Sequence, residues 1–177
     1  SARVVAYSLT DPRRPVEVGS TTLPDAATYL PDTIAAGAGR VYVTSLITEN
    51  TRYDAGARTV VTVLDASDYS VIASVPVGTF PCAISIAPDG SAAYVTNRMS
   101  NSVSIIDLTT FEVTNVAVGT FACDVMVSPD SHWAIVTNRL SGNVTIIDTA
   151  TKLVVATVAT GTNPQGVDFS ADSSKAY

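Results

Sequence analysis

The stretch Ser91-Ala92-Ala93-Tyr94-Val95-Thr96-Asn97-Arg98 returns as His132-Trp133-Ala134-Ile135-Val136-Thr137-Asn138-Arg139, 41 positions later. The same step carries Val77-Gly78-Thr79 to Val118-Gly119-Thr120, and Ser104-Ile105-Ile106-Asp107 to Thr145-Ile146-Ile147-Asp148. Ala159-Thr160-Gly161-Thr162 continues the series, with a step of 42 from Gly119 to Gly161. An earlier copy, Val41-Tyr42-Val43-Thr44-Ser45, lies 52 positions before the Tyr94 copy, one repeat plus an insertion of about 11 residues near 47–58. A chain that repeats at this period builds one supersecondary unit several times and stacks the copies.

Each period holds four short apolar runs separated by turn residues. In the clearest copy they are Cys82–Ala87, Ala92–Asn97, Ser102–Leu108 and Phe111–Val118. Pro88-Asp89-Gly90 divides the first two: proline presets φ and glycine accepts a positive one. Composition agrees. The chain has three glutamates (Glu17, Glu49, Glu112) and two lysines (Lys152, Lys175), while β-branched residues are abundant. Surface-helix formers are scarce, and no stretch has a sustained i, i+3, i+4 apolar pattern. The expectation is an all-β chain of β-propeller blades, four antiparallel strands and about 41 residues each, roughly four blades in all.

Tyr94-Val95-Thr96-Asn97 is the tetrapeptide that names the YVTN-repeat β-propellers, and the chain resembles that family. Around it stand a Pro-Asp-Gly turn, an Asn-x-Val-Ser-Ile-Ile-Asp run and a closing Val-Gly-Thr, with near copies at Ile135–Asn138 and Tyr42–Ser45. The resemblance implies a propeller of the surface-layer or periplasmic type. Together with the Thr/Ser-rich, Lys-poor composition it implies a periplasmic, cell-surface or secreted location.

Aligned copies predict a half blade at 1–19, blades at 31–77 (with the insertion 47–58), 81–118 and 122–159, and the start of a blade at 164–177. Because propellers close with about four to eight blades, residues 1–177 are expected to be an arc. The rest of a longer ring would complete it, or further copies of the chain would, since unpaired strand edges are templates for association.

Candidate sites follow from the blade geometry. The loop leaving the second strand and the loop entering the first open on one face. That face collects Arg98, Arg139, Arg52 and Arg58, beside Phe80, Phe121 and Tyr53, with Asp124 as an arginine partner. Guanidinium groups beside aromatics suit a carboxylate, phosphate, sugar acid or acidic peptide. The alternative is that Arg98 and Arg139 pair with acids or cap carbonyls as part of the repeat. Cys82 and Cys123 lie 41 positions apart, so they hold the same inner-strand place in neighbouring blades. Three readings stay open for them: thiols filling a narrow inner layer, a disulfide, or a metal or reactive-thiol site. Asp65, Asp107 and Asp148 read as turn caps, and the lone His132 as a solvated turn residue.

A net charge of −6 without a basic stripe argues against nucleic-acid binding, and no apolar run is long enough for a membrane-spanning helix. No nucleophile–base pair, metal-ligand cluster or phosphate loop stands out. The expected function is therefore non-catalytic binding or scaffolding, without a cofactor, for a protein or a small anionic or carbohydrate ligand. The alternatives are an enzyme domain whose catalytic residues lie in further blades, and a self-assembling half-propeller.

Overall fold

The computed structural model describes residues 2–24, 29–47 and 58–177, and their side chains over 2–24, 31–45 and 59–177. A two-stranded sheet of β1 (Arg3–Ser8) and β2 (Val16–Thr22) comes first. Three four-stranded sheets follow. They consist of β3 (Tyr29–Gly37), β4 (Arg40–Ile47), β5 (Arg58–Asp65) and β6 (Val71–Pro76); β7 (Pro81–Ile86), β8 (Ala92–Asn97), β9 (Ser102–Asp107) and β10 (Val113–Ala117); and β11 (Ala122–Val127), β12 (Trp133–Asn138), β13 (Asn143–Asp148) and β14 (Leu153–Ala159). Strands pair antiparallel in chain order throughout, so the fold is all-β and its units are propeller blades. β3, β7 and β11 touch one another in turn, forming the inner layer, and β6, β10 and β14 are outermost. Near the end of the chain Phe169 bridges Ala176, while Asp168 and Tyr177 exchange backbone hydrogen bonds of 3.2 and 2.9 Å.

β4 and β5 stay paired from Arg40↔Asp65 to Ile47↔Arg58, eight residues each against six in β8 and β9. The flanks of the sequence insertion thus lengthen a hairpin. Residues 48–57, with Arg52 and Tyr53, lie outside the described residues, as does the Arg58 side chain.

Each residue of the tetrapeptide has a separate duty. Side chains alternate across a strand, and β8 is covered on both faces. Tyr94 enters the cluster shared with β11–β14, among Val103, Ile105, Val125 and Val136. Val95, beside Ala93, enters the cluster shared with β3–β6, among Tyr42, Val61 and Ile106. Burial pushes the Tyr94 hydroxyl up to about 12.

The threonine repairs a bulge. Each inner strand shifts register near its start, at Pro31/Ile34, Pro81/Ile84 and Ala122/Asp124. The N–H groups released there donate to threonines of the second strand: Thr33 to Thr44 at 3.0 Å, Ala83 to Thr96 at 2.9 Å and Asp124 to Thr137 at 3.1 Å. In turn Thr96 Oγ1 donates to Cys123 O (3.4 Å) and Thr137 Oγ1 to Gln165 O (2.9 Å), tying these two blades to the chain that follows each.

Asn97 Nδ2 donates to Ser102 and Ser104, and Asn138 Nδ2 to Asn143 and Thr145, beneath the loops of the arginine face. Those loops include the recurring Val-Gly-Thr. A Cβ on Gly78 would lie 2.5 Å from Asn97 Cγ, and one on Gly119 would lie 2.6 Å from Asn138 Cγ. Only glycine lets the loop rest on the asparagine. The third-strand aspartates cap turns: Asp65 accepts from Ser67, Asp107 from Thr109 and Thr110, and Asp148 from Thr151.

Candidate functional site at the channel mouth

Two loop types meet where the second strand ends, and the backbone fixes their spacing. Arg98 N donates to Phe80 O (2.9 Å), and Arg139 N to Phe121 O (3.0 Å). Thr79 N donates to Ser100 Oγ (2.8 Å) and Thr120 N to Ser141 Oγ (2.5 Å). Phe80 and Phe121 take φ of 61° and 63°, in the left-handed region.

The side chains then interleave. The Arg98 Cζ lies 5.0 Å from the ring centre of Phe80 and 5.0 Å from that of Phe121; the Arg139 Cζ lies 6.0 Å from that of Phe121. This ladder, Phe80–Arg98–Phe121–Arg139, is held by cation–π attraction, each contact contributing about 0.5–2 kcal/mol as desolvation increases. Four of the residues marked out by the sequence are thus brought together.

The two arginines differ in what else they touch. Arg98 Nη2 donates to Cys82 Sγ, so this guanidinium has an aromatic on each side and a thiol at its tip. The Arg139 side chain has one ring and no hydrogen bond or ion pair among the described residues, and the Nε of both arginines is buried without a partner.

Asp124 does not meet either arginine. The bulge in β11 aims its carboxylate at main-chain donors instead, with Val125 N at 2.9 Å and Val167 N at 3.2 Å. It therefore ties its blade to the segment that follows β14 and leaves Arg139 without a carboxylate partner among the described residues.

Cys82 and Cys123 are both free and half-buried. Burial pushes the Cys82 thiol up, with Arg98 opposing the shift and Asp32 and Cys123 adding to it. Asp32 occupies on β3 the place that Cys82 holds on β7, because Pro31 and Pro81 pair with Ser45 and Asn97 in equivalent registers. The sequence reading missed this carboxylate because the insertion disturbs the step between the first two copies. No group of three or more His, Cys, Asp or Glu is placed to hold a metal ion among the described residues. His132 is an exposed turn residue whose Nδ1 lies 3.0 Å from Asp130 O.

Residues 59–174 match the YNCE-like β-propeller family. The chain belongs to that family. No curated protein matches it. Among solved structures it is similar to Kuenenia stuttgartiensis hydrazine synthase, 28% identical with a TM-score of 0.62 over 73% of this chain and 36% of that one. It is also similar to the dihydro-heme d1 dehydrogenase NirN in complex with DHE, 26% identical with a TM-score of 0.55 over 61% of this chain and 25% of that one. A functionally unknown protein from Desulfotomaculum acetoxidans shares the fold over 99% of this chain and 68% of that one, at 16% identity and a TM-score of 0.61. The chain thus spans about a third of the hydrazine synthase chain and a quarter of NirN. No helix among the described residues is long and apolar enough to cross a membrane.

Proposed function

We propose that this YNCE-like arc is a binding module of an exported, non-catalytic propeller, taking a protein or a small anionic or carbohydrate ligand on the loop face around the channel. One observation carries the reading: the Phe80–Arg98–Phe121–Arg139 ladder holds two cations without a carboxylate partner among the described residues. The loop tips Met99 and Leu140, next in sequence to those arginines, are 56% and 66% exposed and add apolar contact area to the same face. Export is supported by the few lysines and by the YVTN-type repeat, and fractionation of cells expressing the full reading frame tests it.

For binding, the test is thermal-shift and calorimetric titration with acetate, phosphate and glucuronate, on wild type and on Arg98→Ala/Arg139→Ala. Saturable anion binding that vanishes in the double variant supports the reading; unchanged affinity in the variant refutes it. Arg139→Ala alone separates site from scaffold, because Arg98 also holds two rings and a thiol in place.

A second reading is favoured by the names of two similar proteins, a hydrazine synthase and a dehydrogenase acting on a dihydro-heme d1. Here the arc belongs to an enzyme whose catalytic groups lie in other blades. Haem titration of the product of the full reading frame separates the two: a stoichiometric haem complex favours the enzyme, and none favours the binding module.

A further inference from the structure

The repeat is broken at one rung of the ladder, on the open side of Arg139. In the preceding copy that rung is Phe121, whose ring lies 5.0 Å from Arg98 and whose N–H donates to Asn101 Oδ1 at 2.9 Å. One repeat on, Gly142 stands in place of Asn101 and Asn163 in place of Phe121. Part of the backbone is kept and part is not: Gly161 takes φ 108°, whereas its equivalent Gly119 is not at positive φ. Thr160 N donates to Gly142 O at 3.0 Å, as Val118 N does to Asn101 O. Asn163 takes φ 57° against 63° at Phe121, and Gly142 takes 63° against 51° at Asn101.

The content changes too. Both the ring and the amide oxygen are absent, and a groove of about 440 Å³ opens there, lined among others by Arg139, Ser141, Gly142, Gly161, Thr162 and Asn163. Two groups facing this gap lack partners that their counterparts have: Arg139 has one ring where Arg98 has two, and the Asn163 N–H has no side-chain oxygen where the Phe121 N–H has one. The Arg139 Nε is buried with no acceptor, as is that of Arg98.

The fold itself shows what fills such a gap: a six-membered planar ring against the guanidinium, and an oxygen acceptor on the loop N–H. We propose that the groove beside Arg139 binds a small aromatic carboxylate. Its ring takes the missing rung on Arg139, and its carboxylate accepts the Asn163 N–H and the Arg139 Nε–H. An arene alone would leave both donors unpaired, and a simple carboxylate would leave the guanidinium face bare. The site needs both parts on one molecule. This rests on the reading that the loop face is a ligand-binding face, and it names the ligand class and the groove.

The experiment is calorimetric titration of the full chain with phenylacetate, beside acetate and phenylacetamide, together with amide shifts in two-dimensional NMR. Phenylacetate is expected to bind at least about tenfold more tightly than either control, with the largest shifts at Gly142, Thr162 and Asn163. Asn163→Phe restores the rung at a φ that Phe80 and Phe121 already adopt, so it folds and loses phenylacetate binding by about tenfold or more. Asn163→Ala leaves the groove open and retains binding. Equal binding by wild type and Asn163→Phe overturns the proposal, as does phenylacetate that binds no better than acetate. If glucuronate or phosphate still binds in an arginine-dependent way while phenylacetate does not, this inference fails and the broader reading stands. If no anion binds at all, both fail.

Discussion

Gly119→Ala should destabilise this protein, against the general trend for that exchange. At a site whose φ suits alanine, Gly→Ala stabilises by about 0.4–1 kcal/mol, because the unfolded chain loses freedom. Gly119 is not among the positive-φ glycines, so backbone strain raises no objection. The objection is Asn138. A Cβ on Gly119 would sit 2.6 Å from Asn138 Cγ, 2.7 Å from its Cβ and 2.8 Å from its Nδ2. The asparagine is completely buried, so it cannot swing into solvent. Moving it breaks the bonds from Nδ2 to Asn143 (2.9 Å) and Thr145 (2.8 Å). Two buried hydrogen bonds contribute about 1 kcal/mol each, and overpacking adds about 1–3 kcal/mol. The net expectation is a loss of about 2–4.6 kcal/mol, or a fall of roughly 4–18 °C in Tm for a domain of this size. Equilibrium urea unfolding and thermal melts read it directly. Gly166→Ala is the control: its nearest neighbour would be Asp124 Oδ2 at 3.9 Å, so it should be neutral or slightly stabilising. In an Asn138→Ala background two of the three crowded atoms are gone, and Gly119→Ala should cost less there. A Gly119→Ala protein as stable as wild type would refute the packing argument for the Val-Gly-Thr motif.

Thr96→Val keeps the shape of a fully buried side chain but strands the Ala83 N–H and drops the bond to Cys123 O, so urea unfolding should show a loss of about 1–3 kcal/mol. Acid should weaken the turns. Local hydrogen bonds hold Asp65, Asp89, Asp107, Asp130, Asp148 and Asp172 below the ordinary carboxylate range, Asp172 at about 2. A depressed folded-state value gives stability that is present above about pH 4 and lost as pH falls toward about 2. Tm measured across that window should drop, and drop less in Asp172→Asn. The Cys82 thiol, raised mainly by burial and drawn down by Arg98, should alkylate with a pH midpoint above that of an ordinary thiol. Arg98→Met, which keeps the bulk and removes the charge, should move that midpoint further up.

Much of this fold was legible in the sequence because a repeat reports its own boundaries. Tyr94, Val95, Thr96 and Asn97 recur as a block because each answers a different demand of the same stack: one blade face, the other face, the bulge, and the loop above. The glycine–asparagine contact was visible only as two motifs moving together, Val-Gly-Thr with Val-Thr-Asn, since nothing in a linear sequence says that they touch. Asp124 shows where such reading stops. It was marked as an arginine partner from the face it occupies, but a bulge re-aims it at the Val167 N–H, 43 positions away. Asp32 escaped for a related reason, since an insertion between copies hid its alignment with Cys82.

The same comparison separates structural from available arginines. Arg98 and Arg139 are identical in sequence context, Val-Thr-Asn-Arg, and share one backbone hydrogen bond to a preceding phenylalanine. Arg98 is held by two rings and a thiol, although its Nε is buried without an acceptor, as is that of Arg139. Arg139 has lost the second ring to Asn163 and its side chain makes no hydrogen bond among the described residues, with its Nε buried. An unpaired donor withdrawn from water carries a penalty of about 1–3 kcal/mol, more when charged, and a rigid repeat offers no easy rearrangement to relieve it. A ligand that supplies the acceptor recovers that energy on binding, whereas one directed at Arg98 must first dismantle a stack. Binding on this face should therefore concentrate where the repeat departs from itself, and the energetic asymmetry between two arginines of equal sequence is what makes Arg139 the better mutational probe.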